Sequence, residues 1–282
     1  MTRHLRTPRS VALVVAGLAA AKLAQPAAQP PASVPLRTCV VIHDVTSNRT
    51  DRSDAAACTG RLPPASTFKI PHALLALETG AVTAESVERW DGTPYPGRLA
   101  WQRDHTVLSA MRPSVVWLFQ RIAPRIGASR MHDWLVGVDF GNADTSGPVT
   151  LYWLNGRLRV SPEEQVRFLR QFYDDALPVA TRHMTSVRTA LLQDPGAVEN
   201  ASGVHPLGVT WRPGLSLSAK TGATMAEDGT NVSWLVGRLT VDERHYVFAG
   251  AAWRMGSPVD ALDGARAVTR AWIERGLVGR AP

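Results

Sequence analysis

Pro64-Ala65-Ser66-Thr67-Phe68-Lys69-Ile70-Pro71, running on to Leu77-Glu78-Thr79-Gly80, is the stretch on which the reading of this chain turns. The pattern predicts a helix from Ser66 to Glu78 that ends at Thr79-Gly80. Ile70, Ala73, Leu74, Leu75, Ala76 and Leu77 are apolar on every side, and a helix without a polar face is a buried one. Pro71 falls near the first turn, where a missing amide hydrogen does little damage. Three residues apart, Ser66 and Lys69 share one face, with the hydroxyl at the amino end where oriented amides favour a developing anion. A serine is a weak nucleophile until a base takes its proton, and an amine rooted in a buried helix is placed to lose its charge.

Composition singles out the same residue. The chain has three lysines beside twenty-eight arginines; one is Lys22, and the others are Lys69 and the first residue of Lys220-Thr221-Gly222. Guanidinium stays protonated at any accessible pH, whereas an amine can be desolvated, deprotonated and used as a base. Arginine thus serves where only charge is needed, and the two lysines mark positions that need an amine.

Arg3, Arg6 and Arg9, an apolar run from Val11 to Ala20, and small residues and prolines through Pro35 read as a secretory signal peptide over about residues 1–32. The run is too short to span a bilayer comfortably, so a periplasmic or secreted protein with no membrane association after cleavage is expected. The formal charge of +7 falls by four, to +3, when Arg3, Arg6, Arg9 and Lys22 leave. The remaining arginines are spread among acids rather than clustered in a stripe, which argues against a nucleic-acid partner. Cys39 and Cys58 are the only cysteines, and in an exported chain they suggest one disulfide across a hairpin; two separate thiols are the other possibility. The histidines are scattered, without metal-ligand spacing, and no metal is expected.

Thr38 to Val45 reads as an opening strand that a polar stretch turns back. Val82 to Leu192 reads as mostly helical, with turns around Asp91-Gly92 and Tyr95-Pro96-Gly97 and a loop from Gly141 to Pro148. Ser161-Pro162-Glu163-Glu164 is a helix start with cap, first-position proline and a glutamate three after the cap, which accounts for Glu164 without catalysis. Beyond Pro195 the pattern alternates, predicting antiparallel strands around Leu215–Lys220, Ser233–Thr240 and His245–Ala252, then a closing helix through Ala267 and Trp272 ended by Gly276. The expected fold is α+β. One catalytic domain over 33–282 has an α/β lobe of antiparallel sheet and flanking helices from both chain ends (about 33–64 and 190–282) and an inserted helical lobe (about 65–189).

The stretch around Ser66 and Lys69 closely resembles the active-site helix of class D (oxacillinase-type) serine β-lactamases. The resemblance recurs in order along nearly the whole mature chain. Ser114-Val115-Val116-Trp117 is similar to the family's Ser-x-Val element, Phe140-Gly141-Asn142 to its Tyr/Phe-Gly-Asn, and Trp153-Leu154 with Ser161 to Val166 to its tryptophan and following helix. Lys220-Thr221-Gly222 matches the third motif of all penicillin-recognising serine enzymes. The resemblance implies that fold, and hydrolysis of the cyclic amide of β-lactam antibiotics through a Ser66 acyl-enzyme. It implies no cofactor beyond carbon dioxide or bicarbonate, which adds to a neutral Lys69 to give N6-carboxylysine, the general base. Phe68, Val116, Trp153 and Leu154 are then its dry pocket, the Trp153 indole N–H being a donor to the carbamate. Ser114 relays a proton to the leaving nitrogen with Lys220; Lys220 and Thr221 face the substrate carboxylate, beside Gly222; and the amides of Ser66 and Ala223 hold the oxyanion.

A further substrate anchor in the family is an arginine before the last helix. Arg266 is the nearest candidate, one residue off the expected spacing to Val268-Thr269, with Arg254 as a substitute. Pro113 before Ser114, and Arg238 where an aromatic is frequent, are further departures. Two other readings remain. One is a β-lactam sensor domain, which acylates without turnover but follows a long membrane-embedded segment. The other is a cell-wall transpeptidase or carboxypeptidase, which expects a polar residue where this chain has Val116.

Overall fold

The structure, a computed structural model, describes residues 34–281; the expected leader lies outside them. Strand β1 (Arg37–Asp44) is β-branched and apolar through its middle, and turns through a polar tip into β2 (Arg49–Arg52). A short helix α1 (Ala55–Thr59) follows, capped by the Asp54 side chain, which accepts from the Ala57 amide. Cys58 lies on α1 and is bonded to Cys39 of β1, so the disulfide ties strand to helix rather than strand to strand.

The expected helix at Ser66 begins differently. Ala65–Phe68 is a 3-10 turn, and the α-helix α2 covers Lys69–Glu78. The tighter turn arises because Pro64 O accepts both the amide and the hydroxyl of Thr67. Every residue of α2 from Lys69 to Leu77 is buried, as its all-round apolar pattern requires.

The segment after α2 departs from the helical reading. Between Gly80 and Val115 the chain is turns and extended backbone with one 3-10 turn (Leu99–Trp101), because Pro94, Pro96 and the polar turns around Gly92 and Gly97 break helical continuity. Helices return as α3 (Val116–Ile126), α4 (Ala128–Gly137), α5 (Pro162–Tyr173) and α6 (Thr181–Ala190). At the head of α5 the Ser161 hydroxyl accepts from the Glu164 amide, and the Glu164 carboxylate accepts from the Ser161 amide.

After two short pairs come the long strands. The pairs involve β3 (Ala197–Asn200), β4 (Gly203–Pro206), β5 (Val209–Thr210) and the C-terminal β9 (Gly279–Arg280). Strands β6 (Leu215–Met225), β7 (Thr230–Val241) and β8 (Arg244–Met255) join β1 and β2 in an antiparallel sheet of order β2-β1-β8-β7-β6. Period-2 alternation splits its side chains into two cores. Leu235 and Phe248 pack beneath α7 (Asp263–Glu274), where Trp272 meets Phe248 edge-on. Val236, Ala249 and Ala251 face the core that holds α2 and α3. Both faces are therefore covered, and the lysine of β6 points inward. Among the described residues no helix is long and apolar enough to cross a membrane.

Cys39 and Cys58 lie nineteen residues apart, and closing such a loop is worth about 3 kcal/mol through the unfolded chain. The double substitution Cys39→Ser/Cys58→Ser is expected to lower the unfolding free energy by about that amount, read from urea titrations. Equal midpoints in oxidised wild type and variant would show that the bridge constrains nothing.

Candidate active site

A cleft of about 340 Å³ opens where the 3-10 turn, the loop before α3 and strand β6 meet. Ser66, Ser114, Val116, Leu154, Thr221, Gly222 and Ala223 line it, so residues up to 157 positions apart are brought to one wall.

Two buried amines stand behind that wall. Lys69 is fully buried, its Nζ 2.8 Å from Ser66 Oγ and 5.2 Å from the centre of the Phe119 ring. Burial drives this amine well below the ordinary lysine range, and the charge of Lys220 pushes the same way. Lys220 donates to Ser114 Oγ (3.0 Å) and to the Thr221 carbonyl (2.9 Å). Burial brings it down to about 7, with Glu199 pulling in the opposite direction. Each serine hydroxyl thus has its own desolvated amine.

The backbone holds these groups by several independent ties. Trp234 Nε1 donates to Pro63 O at 2.9 Å, and Gln165 Nε2 donates to Thr67 Oγ1 at 2.7 Å, clamping the Ser66 turn from the sheet and from α5. Gly222 lets β6 approach this turn: a Cβ there would lie 3.1 Å from the Thr67 amide nitrogen and 3.2 Å from Pro64 O. Ser114 adopts φ 60°, a left-handed conformation that costs a non-glycine residue about 1–3 kcal/mol. Pro113 sits in that turn, and its carbonyl accepts Trp101 Nε1 at 2.8 Å.

The remaining motif residues form the floor. Phe68 and Trp153 are fully buried and stacked with ring centres 5.9 Å apart, while Val116 and Leu154 are partly buried and reach the cleft. Phe140 packs edge-on against Phe68. Gly141, at φ 57°, presses on the Arg159 carbonyl, where any Cβ would clash at 2.0 Å, and Asn142 bonds the 157–159 backbone through its side chain. This motif shapes the floor rather than the cleft lining. Arg238 lays its guanidinium 4.4 Å over the Tyr173 ring. Glu164 is tied up by its capping bonds and by Arg61, and Glu163 by Arg52. Against the burial that would raise it, the Arg61 bonds hold the Glu164 carboxyl below its usual range.

Arg266 is not brought to the cleft. It lies within α7 rather than before it, half exposed, with its guanidinium on Asp263 and Asp260. Arg254, next to last in β8, is likewise absent from the cleft lining. Sequence reasoning did not single out Arg98, the one charged residue on the lining, whose guanidinium stacks 4.6 Å over Trp101. It also missed Arg112, which reaches Asp194 and Glu199 from just before Ser114. No spacing rule points to either, because the partners of both are brought to them by the tertiary fold.

The profile of the penicillin binding protein transpeptidase domain matches residues 41–253. The probable β-lactamase YbxI of Bacillus subtilis is 34% identical over 209 residues, covering 74% of this chain and 71% of that protein. The chain belongs to the class D serine β-lactamases. Its fold is also that of the solved class D β-lactamase BAT-2, with a TM-score of 0.71 and 32% identity over 86% of this chain and 92% of that one. The regulatory protein BlaR1 of Bacillus licheniformis is 34% identical over 192 residues, which is 68% of this chain but only 29% of BlaR1. Class D serine β-lactamases need no cofactor, and among the described residues no cluster of His, Cys, Asp and Glu is able to hold a metal.

Lys220 carries a pH signature. Its amine titrates at about 7 when folded against 10.5 ordinarily, so between those values the unfolded chain holds the extra proton and stability rises with pH. The neutral amine's contribution is complete above the unfolded value and is lost as pH falls through about 7. Lys220→Met is therefore expected to gain stability over wild type below neutrality and to lose that advantage progressively in alkali, measured as the difference in urea midpoints. A difference independent of pH would show that the folded amine titrates normally.

Proposed function

We propose that this class D enzyme hydrolyses the amide of β-lactam antibiotics by acylation of Ser66, with Lys69 carboxylated as the source of the general base. The observation that carries this reading is the 2.8 Å approach of Ser66 Oγ to an amine removed from water. A protonated amine has no lone pair with which to accept the serine proton, so desolvation is what makes the pair reactive.

The residues present fit a carbamate on Lys69. A neutral amine adds carbon dioxide, whereas an ammonium does not, and burial favours the neutral form. Phe68, Phe119, Val116 and Leu154 keep the chamber apolar, and Trp153 Nε1 is buried without a hydrogen-bond partner among the described residues. An indole N–H left unmade at such depth costs about 1–3 kcal/mol, which an anionic oxygen acceptor would recover. When present, the carbamate supplies the proton acceptor for both acylation and deacylation, so no separate glutamate is required.

The chain's own groups do the rest. Ser66 Oγ attacks the lactam carbonyl, and the amides of Ser66 and Ala223 face the developing oxyanion. Ser114 passes a proton to the departing nitrogen, replenished from Lys220 Nζ at 3.0 Å. Lys220 and the Thr221 hydroxyl attract the substrate carboxylate. Arg98, exposed at the rim and stacked on Trp101, takes the role of cleft cation that the spacing had offered to Arg266 or Arg254. Residues 1–32 act as an export leader, which places the enzyme in the periplasm or outside the cell. Within residues 33–282, the α/β lobe is built from about 33–64 and 190–282 and the helical lobe from about 65–189.

Similarity to BlaR1 favours a second reading, a sensor that is acylated and not regenerated. Turnover separates the two. A chromogenic cephalosporin or oxacillin is expected to be hydrolysed over many cycles, faster with added bicarbonate, and Lys69→Ala to lose at least about a hundredfold in kcat. Penicillin is expected to add one covalent mass at Ser66, abolished in Ser66→Ala. A single stoichiometric acylation without a second turnover would establish the sensor, and a label on another residue would refute the nucleophile.

A further inference from the structure

His72 is the one polar residue between Lys69 and Glu78 on α2, and it is fully buried. Neither of its ring nitrogens has a hydrogen-bond partner among the described residues. Its ring centre lies 5.1 Å from that of Trp153 and 5.3 Å from that of Phe119, the same phenyl ring that sits 5.2 Å from Lys69 Nζ. One turn of helix separates His72 from Lys69, so the imidazole and the amine look into one chamber. Trp153 Nε1, on the wall of that chamber, is equally without a partner. Buried polar groups are nearly always paired, and one acceptor set between the imidazole and the indole would satisfy a nitrogen of each.

We propose that His72 is a positioning residue for carboxylated Lys69: its ring N–H, with that of Trp153, holds the carbamate oxygens and so raises the occupancy and fixes the orientation of the group. This rests on the carboxylation reading above. With Lys69 unmodified, burial, then the nearby Lys69 amine, lowers the imidazole to about 3, so the ring is neutral before the carbamate forms. The neutral ring offers one N–H donor. An uncharged donor suits the chamber, because a protonated imidazole there would carry a large desolvation penalty.

The test is a titration of the full chain with ¹³C-bicarbonate at one fixed pH, following the carbamate resonance by NMR, with Lys69→Ala as the blank. Wild type is expected to show the resonance. His72→Phe keeps an aromatic ring against Phe119 and Trp153 but has no N–H. It is expected to need at least about tenfold more bicarbonate for half occupancy, the cost of one hydrogen bond to a charged group. His72→Asn restores a donor and is expected to recover most of that loss. Half occupancy in His72→Phe equal to wild type would overturn the proposal, as would equal weakening in both variants, which would assign the effect to packing. In ¹⁵N-histidine-labelled wild type, the His72 ring resonances are expected to move on adding bicarbonate; resonances that stay fixed would overturn the proposal without recourse to any variant. If wild type shows no carbamate resonance, the carboxylation reading itself fails and this inference with it.

Discussion

Removing an amine from water is the constraint on which this molecule is organised. A lysine ammonium is strongly hydrated, and burying it shifts the balance toward the uncharged form. Here two such amines are buried in succession, Lys69 behind Ser66 and Lys220 behind Ser114, and the charge of Lys220 bears on Lys69. Helix α2 is apolar all round so that Lys69 has no route to solvent. Sheet strand β6 is covered on both faces so that Lys220 has none. Arginine could fill neither place, since its guanidinium does not give up a proton, and that is why lysine survives here in a chain otherwise given over to arginine.

Rigidity around the serines follows from the same need. A hydroxyl misplaced by an ångström loses its amine, and the Ser66 turn is accordingly held from three sides: Pro63 O by Trp234, Thr67 by Gln165, and the turn backbone by the close pass of Gly222. Ser114 is held at the opposite wall in a left-handed conformation between Pro113 and α3. Arg112 joins this turn to Asp194 and Glu199, and Glu199 is the carboxylate that sustains the charge of Lys220. The second serine and the second lysine are thereby linked through one ion-pair cluster, and its partial burial gives it more weight than a fully solvated pair would have.

The cleft itself is built from parts that differ in kind. Its floor is aromatic and dry, with Phe68, Trp153 and Phe140 packed ring against ring, and Gly141 is there because the Arg159 carbonyl leaves no room for a Cβ. Its rim is loop, from Pro96 to Trp101 and around Asn200 to Ser202, with Arg98 as its only charge. The two lysines sit on helix and strand, where geometry is fixed, while the rim is exposed and its backbone irregular.

The sequence by itself determined the family and the long elements. Ser66 with Lys69 was legible because a serine beside a buried amine admits few residue types at few spacings, whereas Ser114 with its two valines and Lys220-Thr221-Gly222 were read through their resemblance to the class D serine β-lactamases. The strands β6 to β8, the capping box of α5 and the closing helix were legible because period-2 and period-3.6 burial and cap chemistry are local. The segment from Val82 to Ser114 lies in a stretch read as mostly helical with turns around Asp91-Gly92 and Tyr95-Pro96-Gly97; the turns are there, but apart from one 3-10 turn the rest is not helical either. Only the tertiary structure decided which cation meets the cleft. Arg266 goes to Asp260 and Asp263 while Arg98 is set on Trp101, and an exposed guanidinium goes to whichever acid or ring the fold brings near, which no spacing along the chain encodes.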